Sequence, residues 1–106
     1  MNKQPLTESL YYILLSVTKP NYGYGIMEDI RKMTDNRINM GAGTLYGAVN
    51  TLLERKYITL YSEEKSSRKK KEYVITDLGR NAFKKERRRL EELVENGKMM
   101  EVNEDD

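Results

Sequence analysis

The feature that most constrains this chain is a double change of apolar period. Up to Lys56 the apolar residues recur every three or four positions, from Tyr57 to Ile75 they alternate, and after Thr76 the longer spacing returns. A period near 3.6 lines up side chains on one face of a helix, and a period of 2 lines them up on one face of a strand. The chain therefore reads as a run of helices interrupted by one β-hairpin and closed by a further helix.

In the first helical stretch Leu6, Leu10, Ile13, Leu14 and Val17 share a face that Tyr11, Tyr12 and Leu15 widen. A helix apolar over so much of its circumference is expected to be buried on two sides, one against its own domain and one against a partner. Lys19-Pro20-Asn21 is a stop signal, and Ile26, Ile30 and Met33 then face away from Glu28, Asp29, Arg31 and Lys32 in a second amphipathic helix. A polar connection over 36–42, with Gly41 as the expected N-cap, leads to Leu45, Ala48, Val49, Leu52 and Leu53 in a third. Met27, Met33 and Met40 read as core or near-core filler rather than as a ligand pocket.

Tyr57–Tyr61 and Tyr73–Ile75 are rich in β-branched and aromatic residues, with Ile58 and Leu60 on one face of the first and Tyr73 with Ile75 on one face of the second. Between them 63–72 is a polar hairpin loop carrying Arg68, Lys69, Lys70 and Lys71. Thr76 is placed to cap a fourth helix, with Asp77 in its first turn and Leu78, Ala82, Phe83, Leu90, Leu93 and Val94 as a broken apolar face. The expected fold class is mainly α with a small β-hairpin (α+β). The order of elements is that of a winged helix-turn-helix followed by a C-terminal dimerisation helix. Expected boundaries are 1–76 for the winged domain, 77–98 for the dimerisation helix and 99–106 for an acidic, disordered tail.

Composition narrows the function. Neither cysteine nor histidine occurs in the 106 residues, which removes thiolate chemistry, the commonest general base and the commonest transition-metal ligand. An enzyme is not expected, nor is a cofactor or metal. The apolar stretch ending at Val17 is too short and too polar to span a bilayer, so a cytoplasmic protein with no membrane partner is expected. Residues 1–90 carry 18 Lys/Arg against 10 Asp/Glu, a balance of +8, whereas 91–106 have Lys98 against seven acids, a balance of −6. A basic body suits a polyanionic partner.

On a helical wheel the third helix shows Gly43, Gly47 and Asn50 opposite its apolar face, flanked by Thr44, Tyr46 and Thr51. Two glycines a turn apart leave a surface without bulk, Thr44 and Tyr46 offer hydroxyls to phosphates or base edges, and Asn50 has the amide geometry that pairs with adenine. Two readings stay open: a DNA-facing surface, or solvated residues with glycines that serve packing. The lysine run at the hairpin tip is either a phosphate-contacting wing or a solvated loop. The block Lys84-Lys85-Glu86-Arg87-Arg88-Arg89 reads as a solvated helix face with long-range attraction for DNA.

Three segments together resemble the PadR-like family of bacterial transcriptional regulators. Tyr22-Gly23-Tyr24-Gly25-Ile26 is similar to that family's opening of the second helix, Gly43-Thr44-Leu45-Tyr46-Gly47-Ala48-Val49 to its recognition helix, and Lys71-Glu72-Tyr73-Val74-Ile75-Thr76-Asp77-Leu78-Gly79 to its passage from wing to fourth helix. The chain departs from the family pattern in having Gly25 for Glu, Gly47 for Pro, Gly41 for a capping Ser and Glu72 for an aromatic. The resemblance is to the compact branch with a single C-terminal helix. It implies a sequence-specific double-stranded DNA-binding regulator, a repressor acting as a homodimer on an inverted repeat.

The DNA-facing residues implied are Tyr22, Gly43, Thr44, Tyr46, Gly47, Asn50, Arg68, Lys69, Lys70, Lys71 and Tyr73. Dimer contact, or the lining of a site for a small aromatic effector, falls to Leu6, Leu10, Tyr11, Leu14, Leu15, Phe83, Leu90, Leu93 and Val94. A closed apolar dimer core is the competing reading of that second set, since no Trp supplies a large stacking surface. The alternative for the whole chain is a winged-helix protein-interaction module without specific DNA binding.

Overall fold

The computed structural model describes residues 5–64 and 70–104, and side chains over 5–62 and 71–102. The elements are α1 (Glu8–Ser16), β1 (Asn21–Tyr22), α2 (Gly23–Met33), α3 (Ala42–Glu54), β2 (Ile58–Glu64), β3 (Lys70–Ile75) and α4 (Asp77–Glu104). Three antiparallel strands in the order β1-β3-β2 make a small sheet beside the helices. This is the α+β winged-helix architecture that the period changes predict.

Local chemistry explains most of the boundaries. The Thr7 hydroxyl accepts from the Leu10 N–H at 3.2 Å and starts α1. Gly41 is the extended N-cap of α3, as expected. Lys56 takes a left-handed φ of 64° after α3, and the Tyr57 N–H returns to the Leu52 carbonyl at 3.0 Å, closing the helix before β2. Thr76 does what its position suggests: its Oγ accepts from the Gly79 N–H at 3.0 Å and donates to the Lys56 carbonyl at 2.7 Å. The cap thus ties the start of α4 to the end of α3.

One core joins all the layers: Leu6, Leu10, Ile13, Leu14 and Val17 of the first segment, Ile26 and Ile30 of α2, Met40, Leu45, Val49 and Leu52 around α3, and Ile58, Tyr73 and Ile75 of the sheet. Removing these side chains from water is the main favourable contribution to folding.

Four expectations need correction. The stop signal at Lys19-Pro20-Asn21 is followed at once by a strand, because Asn21 and Tyr22 pair with Tyr73 and Glu72. Met33 is exposed, since the core on α2 ends at Ile30. Leu60 is also exposed: the core on β2 ends at Ile58, and a register shift between Leu60 and Ser62 follows at once. Finally, α4 does not stop at residue 98. It continues through Gly97 to Glu104 over 28 residues, so the segment 99–104 expected as a disordered tail is helical. One interior glycine costs only about 1 kcal/mol, and Lys98, Met99, Met100 and Glu101 are good helix formers. Residues 105 and 106 lie outside those described.

Candidate nucleic-acid interface

The surface starts with the way α3 spends its residues. Leu45, Val49 and Leu52 are buried, so helical spacing turns Gly43, Thr44, Tyr46, Gly47 and Asn50 outward, and all five are exposed. A methyl group added at Gly43 or Gly47 would meet nothing within 4 Å. Neither glycine serves packing within the chain. Thr51, on the flank, donates its hydroxyl back to the Gly47 carbonyl at 3.2 Å.

Tyr46 is held by a neighbour that sequence reading did not single out. Gly23, the first residue of α2, is buried, and a Cβ there would collide with the Tyr46 hydroxyl and lie 2.7 Å from its Cζ. The phenol ring therefore rests on the start of α2 while 43% of Tyr46 remains exposed. Only contact between residues 23 positions apart reveals this, although the glycine at a helix start is visible in the sequence.

Asn21 is the second residue missed. Its Nδ2 donates to the Ser16 carbonyl at 3.1 Å and to Asp29 at 2.9 Å, and its Oδ1 accepts from the Tyr22 N–H at 3.0 Å. A Cβ on Gly25 would strike that same Oδ1. One side chain thus joins the end of α1, the strand β1 and the second turn of α2. Because β1 also pairs with β3, the hairpin is anchored to the helix pair that presents Tyr46.

In the hairpin, Lys71 is exposed, Lys70 opens β3, and the Ser62 hydroxyl donates to Glu72 at 2.5 Å. Arg68 and Lys69 lie outside the described residues. Tyr22 is 38% exposed next to the N-terminus of α2. Tyr73, expected to face DNA, is instead buried with Ile75 in the core, because alternation puts both on the inner face of β3.

The second expected set divides in the same way. Leu14 is fully buried, and Leu6 and Leu10 nearly so, inside the chain's own core, where no partner or ligand can reach Leu14. Tyr11 stacks on Phe83 with centroids 4.4 Å apart and planes 26° from parallel, docking α4 on α1. Burial pushes the Tyr11 phenol above its ordinary value. Glu86, the only buried charged residue among those described, pairs with Arg89 and accepts the Leu6 N–H. The Arg89 guanidinium holds its carboxyl below the usual range against the opposing effect of burial. Leu15 is 37% exposed, whereas Leu93 and Val94 are more than half exposed. A cavity of about 380 Å³ lies beside this contact, lined by Tyr11, Tyr12, Glu86, Arg89 and Leu90 among others.

Comparison with known proteins agrees with this fold. Residues 12–85 match the family described as transcriptional regulator PadR-like family. A transcriptional regulator from Clostridium thermocellum is 28% identical, with 90% of each chain covered and a TM-score of 0.67. A PadR family transcription regulator from Clostridium difficile is 25% identical over 86% of this chain and 96% of that one, with a TM-score of 0.61. A PadR-like transcription factor from Bacteroides fragilis shares the fold at 22% identity, 87% coverage of each chain and a TM-score of 0.70. Among curated proteins, none matches. No helix among the described residues is long and apolar enough to cross a membrane.

Proposed function

This chain belongs to the PadR-like family of transcriptional regulators, and from that premise we propose that it is a cytoplasmic repressor that binds an inverted-repeat operator as a homodimer. Its α3 enters the major groove with Gly43, Thr44, Tyr46, Gly47 and Asn50, while Arg68, Lys69, Lys70 and Lys71 of the hairpin neutralise flanking phosphates. Residues 1–76 serve DNA, and α4 serves dimerisation. The observation that carries this reading is the open space around Gly43 and Gly47. Glycine costs about 1 kcal/mol in an exposed helix interior, and the only evident return is close approach of a surface from outside the chain.

The homodimer is supported by α4. Leu93, Val94, Met99, Met100 and Val102 are each more than half exposed along a helix that has left its own domain. Leu93 and Met100, two turns apart on one face, favour a contact with another molecule. A small aromatic effector fits the cavity beside Tyr11 and Tyr12, where a planar ring would extend the Tyr11–Phe83 stack.

Fluorescence anisotropy on a duplex from the chain's own promoter, if it carries an inverted repeat, tests the reading. Affinity is expected to fall steeply with salt, and Tyr46→Ala and the triple Lys69→Gln/Lys70→Gln/Lys71→Gln should each weaken binding while the protein stays folded and dimeric. Equal affinity for all duplexes, or none, would instead favour a protein-interaction role.

A further inference from the structure

Of the eight asparagines in the chain, Asn96 is the only one followed by glycine. The side-chain amide of an asparagine is open to attack by the backbone nitrogen of the next residue, and glycine has no Cβ to shield that nitrogen. Both residues lie inside α4 and are exposed, and a Cβ on Gly97 would meet nothing within 4 Å. The barrier is therefore the helix's own geometry. In an α-helix the Gly97 N–H donates to the carbonyl four residues earlier, and its nitrogen reaches the Asn96 Cγ only when that turn unwinds.

Little holds that turn closed. Arg80 donates to the Thr18 carbonyl at 3.4 Å, Phe83 stacks on Tyr11, and Glu86 accepts from Leu6, so the docking on the winged domain lies in the first half of α4. From Glu91 to Val102 every side chain is exposed. The ion pairs here, Arg87 with Glu91 at 2.6 Å and Lys98 with Glu95 at 3.2 Å, join turns of the same helix, and exposed pairs of this kind contribute little. Residues 91–104 carry five Glu against Lys98, a net of −4, and the last turn has no base. That charge sits at the negative end of the helix dipole and opposes the helix, and glycine is the poorest helix former short of proline. Isolated helices shorter than about 12–15 residues are marginal in water. The distal half therefore opens by local unfolding more readily than the docked half.

We propose that Asn96-Gly97 is a self-modification site gated by the unwinding of the distal half of α4. In the unwound chain the Gly97 nitrogen bonds to the Asn96 Cγ, the Cγ–Nδ2 bond breaks, and ammonia leaves with the hydrogen of the Gly97 N–H. Water then opens the cyclic imide at either carbonyl. Attack at Cγ gives aspartate, and attack at the main-chain carbonyl gives isoaspartate. Each product adds a negative charge near the end that already carries an excess, and isoaspartate also adds an atom to the backbone, which breaks the hydrogen-bond ladder. The step needs only water and runs one way. A partner seated on Leu93 and Met100 keeps the helix wound and the amide intact, whereas a chain left unwound loses the ability to rewind.

Incubation of the full chain in mildly alkaline buffer, followed by peptide mapping in a mass spectrometer, tests the proposal. Asn96 should convert before any other asparagine, and about tenfold faster once concentrated urea unwinds the chain. Glu101→Lys/Glu104→Lys leaves the Asn-Gly step intact but places bases at the negative end of the helix, so conversion of the folded chain should slow about fivefold while the rate in urea stays the same. Gly97→Ala should slow conversion in both conditions. Amide hydrogen exchange at Gly97 measures how often the turn is open, and conversion should follow it in proportion. Equal rates with and without urea, or a rate in the folded chain that does not follow exchange at Gly97, overturns the gating. If Asn96 keeps its amide even in urea, the site itself fails. The isoaspartyl product, separated by its added charge, should show less helix by circular dichroism; full native helicity overturns the one-way step.

Discussion

Gly23 and Gly47 are both helical, yet they stand in opposite surroundings. Gly23 is buried under the Tyr46 ring, whereas Gly47 faces open space. Gly79 resembles Gly23, since a Cβ there would run into the Tyr57 carbonyl and lie 2.9 Å from Ile75 Cγ1. A side chain at Gly23 or Gly79 would thus meet the chain's own atoms, whereas one at Gly47 would meet none. The effect of a glycine-to-alanine change on stability, a loss at Gly79, little change at Gly23 and a gain at Gly47, separates the cases.

The largest effect is expected at Gly79. Its obstacle is backbone, and the Tyr57 carbonyl in question already accepts the Thr76 N–H at 2.9 Å. Gly79→Ala should therefore cost about 3 kcal/mol in urea unfolding, through overpacking at a point that cannot yield. A cost below about 1 kcal/mol would mean that the junction of β2 and α4 is looser than its geometry indicates.

Gly23→Ala should behave differently, because the obstacle is the far end of a half-exposed side chain that can swing away. Stability should change by less than about 1 kcal/mol, because the ring can yield. Operator affinity should nevertheless fall about tenfold, equivalent to about 1.4 kcal/mol, because Tyr46 is displaced. Full affinity in this variant would show that the placement of Tyr46 on α2 has no part in binding.

At Gly47 and Gly43 the sign should reverse. Gly47→Ala, in the helix interior, is expected to raise stability by about 1 kcal/mol and Gly43→Ala, in the first turn, by less, each while weakening duplex binding. Loss of stability at either position would break the comparison, and a stabilised variant with undiminished affinity would remove the reason for assigning that face to DNA.

Much of this was legible from spacing. Leu45, Val49 and Leu52 repeat as a helix must, so the outward face of α3 follows by subtraction, and Thr76 and Gly41 carry the chemistry of caps. Other features depend on contacts that no local pattern encodes. The strand β1 has two residues, too few for any alternation, and exists because β3 offers them an edge. Tyr73 was expected outside from its place in a family motif, although its alternation with Ile75 already pointed inward. Gly97 reads as a terminator in isolation, but the flanking residues carry the helix past it. The partnership of Gly23 with Tyr46 appears only once α2 and α3 are packed.

The pairing of β1 with β3 has a consequence for how this protein meets its target. Asn21 and Tyr22 are at once a rung of the hairpin's ladder and the lead-in to α2, so the hairpin cannot tilt without pulling on the helix that supports Tyr46. The chain is then a caliper whose two jaws keep a constant gauge. In the proposed homodimer, accommodating sites of unequal width would fall to the joint between protomers rather than to any bend within one.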